Sequence, residues 1–191
     1  MESKSLNDLQ IITLVGKLLL TQRFDDLGQL ARTDPRVLEQ LAHTMKDGQP
    51  PFFFLAATAL SKAGPIATPY LLEGLTHPQH PVRQLAAMAL GDTGESSAIA
   101  ALVEALNDPQ EVVRQAAAFS LGKLRARDAV EALLYHLKDN SELVRNAAVK
   151  ALGLIGDARA LPALRHTAST DTEKVSGWAK DAIMKIQGTH Q

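Results

Sequence analysis

Apolar residues along this chain change their spacing twice in every thirty or so positions. Val82, Leu85, Ala86, Ala89 and Leu90 recur at three- and four-residue steps, as one buried face of a helix requires. Ile99, Leu102, Val103 and Leu106 then repeat an i, i+3, i+4, i+7 pattern on a second stretch. Gly91 and Gly94 stand between the two, suited to a helix end and a tight turn. Asp108-Pro109 closes the pattern before it starts again. The spacing predicts two short antiparallel helices joined by a turn.

That unit recurs. "HPVRQLAAMALGDTG" begins at His80, "EVVRQAAAFSLGKLR" at Glu111, "ELVRNAAVKALGLIG" at Glu142 and a worn "EKVSGWAKDAIMKIQ" at Glu173. Arg83, Arg114 and Arg145 follow at steps of 31. Upstream, "PPFFFLAATALSKAG" from Pro50 matches the His80 segment at an offset of 30. A thirty-residue helical hairpin cannot bury its apolar face alone, and stacking on similar neighbours buries it. The fold expected is therefore all-α, an α-solenoid of helical hairpins. Fainter traces extend it toward the N-terminus. Leu38, Leu41, Ala42 and Met45 repeat the second-helix spacing, and "RFDDLGQLA" from Arg23 supplies a partner helix. Residues 1–48 are read as an N-terminal helical cap with a degenerate repeat. Residues 49–191 are read as repeats starting near 50, 80, 111 and 142, with a capping helix near 173–187. Trp178 falls where earlier units place Leu85, Ala116 and Ala147, which suits a terminal cap.

These segments resemble the HEAT-like repeats of the phycobilin (PBS) lyase type, over about residues 50–187. The resemblance implies a right-handed superhelix of helical hairpins. The class includes subunits of bilin lyases, factors of phycobilisome breakdown, a di-iron hydroxylase and protein-binding adaptors, and shared fold does not choose among them. The hydroxylase branch needs His-Glu pairs on several first helices, since iron takes imidazole and carboxylate together. The corresponding positions here read Arg-Gln, Arg-Gln and Arg-Asn, and no His-Glu dipeptide occurs.

Composition narrows the chemistry further. Hydrophobic residues make up 46% of the chain and aromatics only 4%, so the core is aliphatic and alanine-rich. The formal charge of −1 provides no bulk field for nucleic acid or an anionic membrane, though a local patch is compatible with it. Without cysteine there is no disulfide, thiolate nucleophile or thiolate metal site, and the cytosol is the default compartment. Leu9 to Leu20 is apolar but interrupted by Lys17, too short to span a bilayer and without a cleavage site. Six histidines are present: His43, His77, His80, His136, His166 and His190. His77 and His80 in "HPQHP" each precede a proline in an inter-repeat turn, and zinc would need two further ligands. They are read as loop residues. No catalytic triad order, phosphate-cradling glycine loop or carboxylate pair stands in a consistent setting. Neither a catalytic residue, a metal site nor a cofactor is expected.

Two sets of residues remain. Arg83, Arg114 and Arg145 each follow an inter-repeat turn, with Asp108 and Asp139 six residues before the last two. A guanidinium with five donors can bridge carboxylates and turn carbonyls between stacked units, so a structural ladder is expected rather than a phosphate site. On the second helices, one column reads Glu73, Glu104, Tyr135, His166 and the next Gly74, Ala105, His136, Thr167. Glu73, Glu104, Tyr135, His136 and His166 are the expected partner-binding groove, kept open by Gly74, Ala101, Ala105, Ala132 and Ala163. In the first repeat the offset places Phe52 in the core, Phe53 at the arginine position and Phe54 beside it. Burial of Phe53 and Phe54 under the helix between Leu6 and Leu20 is expected, an exposed docking patch being the alternative. The function expected is a non-catalytic, cytoplasmic adaptor or assembly factor for protein partners. The rival is a bilin lyase subunit or phycobiliprotein-handling factor, for which the groove has few aromatics and an acidic end that repels propionates.

Overall fold

A long helix, one turn of 3₁₀ helix and a short helix make up each repeat. The computed structural model describes residues 6–48 and 52–188, and among these there is helix and no strand. The chain divides into two compact units, Met1–Thr93 and Gly94–Gln191. The first holds α1 (Asp8–Leu20), α2 (Phe24–Thr33), α3 (Pro35–Asp47), α4 (Phe52–Ala63), α5 (Thr68–Gly74) and α6 (His80–Thr93). The second holds α7 (Ile99–Ala105), α8 (Glu111–Lys123), α9 (Val130–His136), α10 (Glu142–Ile155), α11 (Leu161–Thr170) and α12 (Glu173–Gln187). The expected repeat start at Pro50 and the boundary at 48/49 fall at residues 49–51, outside the described residues, as does His190.

Local chemistry sets the helix ends. Asn7 caps α1 through a reciprocal pair with Gln10, each side chain accepting the other residue's amide at 2.9 Å. Asp34 accepts the Arg36 amide ahead of α3, whose first residue is Pro35. The turn between the two helices of a repeat needs a left-handed residue. Gly94 and Gly156 supply it at φ 77° and 76°, while the equivalent position one repeat on from Gly94 is Arg125 at φ 50°. A side chain there costs roughly 1–2 kcal/mol relative to glycine. Arg125→Gly is therefore expected to raise stability by about 1 kcal/mol, less the entropy glycine loses on folding, which a denaturant melt would measure.

After that turn the chain makes one 3₁₀ turn into each second helix, at Gly64–Ala67, Ser96–Ala98, Arg127–Ala129 and Ala158–Ala160. Ala67, Ala98, Ala129 and Ala160, spaced by 31, close these turns and are wholly buried. Gly122 and Gly153 serve packing too. A Cβ on Gly122 would meet the Ala151 backbone at 2.7 Å, and one on Gly153 the Ala182 side chain at 2.9 Å. Small residues thus bring α8, α10 and α12 together within the second unit.

In the first unit α1 buries Ile11, Val15, Leu18 and Leu19 and packs against α2, α3 and α4. Arg36 ties its start to α3, donating to the Leu6 carbonyl and Asp8 carboxylate at 3.0 Å each. The expected cover over the phenylalanines is incomplete. Phe52 and Phe53 are half-buried, and Phe54 is 52% exposed. Three consecutive rings cannot all face inward at about 100° per residue, and the third is the one left outside.

Candidate functional site

The arginines of the second unit bond in one repeated geometry. Arg114 presents Nε and Nη2 to the Asp139 carboxylate at 2.9 and 2.8 Å. Its Nη1 donates to the carbonyls of Asp108 and Pro109 at 2.9 and 3.2 Å. Arg145 repeats this on Asp171, at 2.8 and 2.9 Å, and on the carbonyls of Asp139 and Asn140. Arg83 in the first unit likewise donates to the His77 and Pro78 carbonyls, both at 2.9 Å. The aspartate six residues upstream gives its backbone carbonyl. The carboxylate comes from the turn one repeat downstream, a partner that spacing within one repeat did not reveal. Its signal was nonetheless present, in the aspartates that close α7, α9 and α11.

Asp139 is the densest node. Its carboxylate takes both Arg114 bonds and the Ser141 amide at 2.8 Å, and His136 Nδ1 lies 3.4 Å from it. Burial works to raise the Asp139 pKa, but the bonds from Arg114 and Ser141 outweigh it and the pKa is lowered. Arg145 lowers that of Asp171 against the opposing effect of burial. The Asp139 side chain is 8% exposed and that of Arg114 16%.

The five groove positions separate. Glu104, Tyr135 and His166 are exposed at equivalent places on α7, α9 and α11 of the second unit, with Tyr135 76% exposed. Glu73 is exposed in the first unit, 3.0 Å from Lys46 Nζ. His136 differs: it is 5% exposed and packs edge-on to the Tyr135 ring at 5.3 Å between centroids. The column it belongs to turns inward. Gly74 and Thr167 are buried as well, and a Cβ on Gly74 would meet Met45 at 2.8 Å and Ala86 at 2.9 Å. Gly74 therefore fits packing against neighbouring helices and does not widen a groove. Ala101, Ala105, Ala132 and Ala163 are half-buried.

Beside Tyr135 opens a cavity of about 550 Å³, with Asn107, Arg114, His136, Lys138 and Asn140 in its lining. Its donors and acceptors are mixed, and the Arg114 charge already faces Asp139. This is a surface for hydrogen bonds and an aromatic contact. Among the described residues no group of three or more His, Asp or Glu could hold a metal ion. His77 accepts the Gln79 amide at Nδ1, 3.2 Å away, as a turn residue would. No described helix is long and apolar enough to cross a membrane.

Comparison with known proteins matches HEAT repeats over residues 55–121 and 99–184. No curated protein matches. Among solved structures, the complex of CpcE and CpcF of phycocyanin lyase from Nostoc sp. PCC7120 is similar, with TM-score 0.70 and 24% identity. That match covers 78% of this chain and 99% of the other. A designed armadillo repeat protein in complex with the peptide (KR)4 matches at TM-score 0.62 and 20% identity, covering 93% and 98%. Human deoxyhypusine hydroxylase matches at TM-score 0.57 and 23% identity, covering 98% and 82%. These likenesses carry the fold.

Proposed function

The chain belongs to the HEAT-repeat family, and from that premise we propose that it is a non-catalytic adaptor or assembly factor. It binds a protein partner in the cytoplasm through the outward row of its second helices. The observation that carries this reading is the repeated exposure of Glu104, Tyr135 and His166 on α7, α9 and α11. Tyr135 stands 76% exposed at the edge of a hydrogen-bonding cavity. A rigid tyrosine that offers both ring and hydroxyl is a common binding anchor. Within this reading Arg114 and Arg145 hold neighbouring repeats and do not touch the partner, and Arg83 plays the same part in the first unit. His136 supports Tyr135 from beneath.

Tyr135→Ala and Glu104→Lys are expected to weaken the complex captured from host extract by about tenfold or more, as for anchor residues. Both sites are exposed, so melting should shift by no more than about 0.5 kcal/mol. Capture unchanged for both variants would remove this row as the interface. A second reading, handling of a bilin chromophore, is favoured by the likeness to the phycocyanin lyase complex. Against it stand the single exposed aromatic of the row and the Glu104 carboxylate, which repels propionates. Visible absorption of a bilin titrated with the purified protein tests it. A saturable shift of the bilin band would favour this second reading, and a flat titration would retire it.

A further inference from the structure

The first helices of the second unit carry a face that the adaptor reading leaves unused. On α8, α10 and α12 the i, i+3, i+7 positions read Ala116, Phe119, Lys123, then Ala147, Lys150, Leu154, then Trp178, Asp181, Lys185. Phe119 is 45% exposed, and Leu154 and Trp178 are each 37% exposed. These groups are contiguous. Leu154 Cδ1 lies 3.3 Å from where a Cβ on Gly122 would stand, next to Lys123. Lys150 Nζ sits 3.8 Å over the Trp178 ring, and Lys123 Nζ lies 6.0 Å from the Phe119 centroid. Across the nine positions Lys150 and Lys185 stand against one aspartate, Asp181. Neither Lys150 nor Lys185 enters an ion pair with a described carboxylate.

We propose that this face docks an acidic, amphipathic segment of a partner protein. An ammonium resting on an indole face is held in place while its outward side stays open to a carboxylate. Exposed charges alone attract weakly and are screened by salt. Phe119, Leu154 and Trp178 add apolar area whose burial does not depend on salt. Together they select an occupant carrying both features, acidic residues alternating with apolar anchors at helical spacing. Bulk charge plays no part, because the protein as a whole is near neutral.

Trp178 is the only tryptophan of the chain, so its fluorescence reports this face alone. The test titrates the full-length protein with a helical peptide of glutamates and leucines, the leucines at every third or fourth position. A saturable blue shift of Trp178 emission is expected. Lys150→Glu with Lys185→Glu should weaken binding by about tenfold or more, as should Phe119→Ser, with circular dichroism and melting near those of the parent. Raising salt from about 50 to about 500 mM should weaken the parent's binding, since the Debye length shrinks several-fold. Tyr135→Ala should leave the titration unaltered, which separates this face from the second-helix row. The proposal is overturned by an absent or non-saturating response, or by an equal response to the same peptide with lysine for glutamate. It is also overturned if phosphatidylserine vesicles or a single-stranded oligonucleotide shift Trp178 at lower concentration than the peptide.

Discussion

Replacing Asp139 with alanine is expected to destabilise the second unit by about 1.5–3 kcal/mol, as loss of charge-assisted hydrogen bonds in a partly buried pair does. The change leaves Arg114, 16% exposed, with carbonyls alone, and it strips the Ser141 amide of its acceptor. Asp139→Asn keeps an acceptor for Ser141 and should cost less. Arg114→Ala removes the cation instead and should lower stability by about 1.5–3 kcal/mol, typical of hydrogen bonds to charged groups. In that variant partner binding should fall only as far as unfolding explains. Denaturant melts followed by Trp178 emission read all three, because Trp178 belongs to the same unit. A parent-like melt for Asp139→Ala would show that the paired charge adds nothing to the stack.

The same carboxylate makes the effect depend on pH. Asp139 and Asp171 both have lowered pKa values in the folded chain. A free aspartate titrates near about 3.9. The stabilisation is thus complete above about pH 4 and is lost as pH falls through the lower folded values. The gap between parent and Asp139→Asn should therefore narrow below about pH 4. A gap that stays constant to about pH 2 would contradict the assignment of this acid limb to Asp139.

Deleting residues 1–22 is expected to have the second large effect, this time on the first unit. The deletion removes Ile11, Val15, Leu18 and Leu19, all buried, from their places against α2, α3 and α4. Burying one such side chain is worth about 1.5–3 kcal/mol. Four together approach the whole stability of a typical domain, about 5–15 kcal/mol. The shortened protein should lose helicity, bind a hydrophobic dye and aggregate. A dye response with parent-like Trp178 emission would place the damage in the first unit. Full helicity without dye binding would mean that α1 is dispensable.

The hairpins were legible because a 3.6-residue period survives any detail of the turns. Val82, Leu85, Ala86 and Leu90 form one buried face, as their spacing requires. The outward set was legible only in part. Glu104, Tyr135 and His166 face outward, whereas His136, Gly74 and Thr167 turn in. The second helices from α5 to α11 are each preceded by a 3₁₀ turn of three or four residues, so helical phase counted along the sequence slips by part of a turn. Ala67, Ala98, Ala129 and Ala160 mark that slip at steps of 31. They passed as ordinary apolar residues because alanine is common in this chain. Phe54 illustrates a second limit. Hydrophobicity states that a ring gains from burial but not whether a neighbouring helix is positioned to cover it.

Asp139 accepts from Arg114 at its carboxylate and from Arg145 at its carbonyl, and this has a consequence for how such an array lengthens. Any 31-residue cassette cut at corresponding points of these two repeats carries one ladder arginine and one ladder aspartate. Duplicating it leaves no guanidinium orphaned and no acid unmatched, so copying errors in the gene meet little electrostatic resistance. The series also has a stop. On α12 the arginine position is Ser176, whose hydroxyl donates to the Ala168 carbonyl at 2.6 Å and asks for no acid downstream. A splice that grows this array thus belongs before α12, where the pairing rule is still open at both ends.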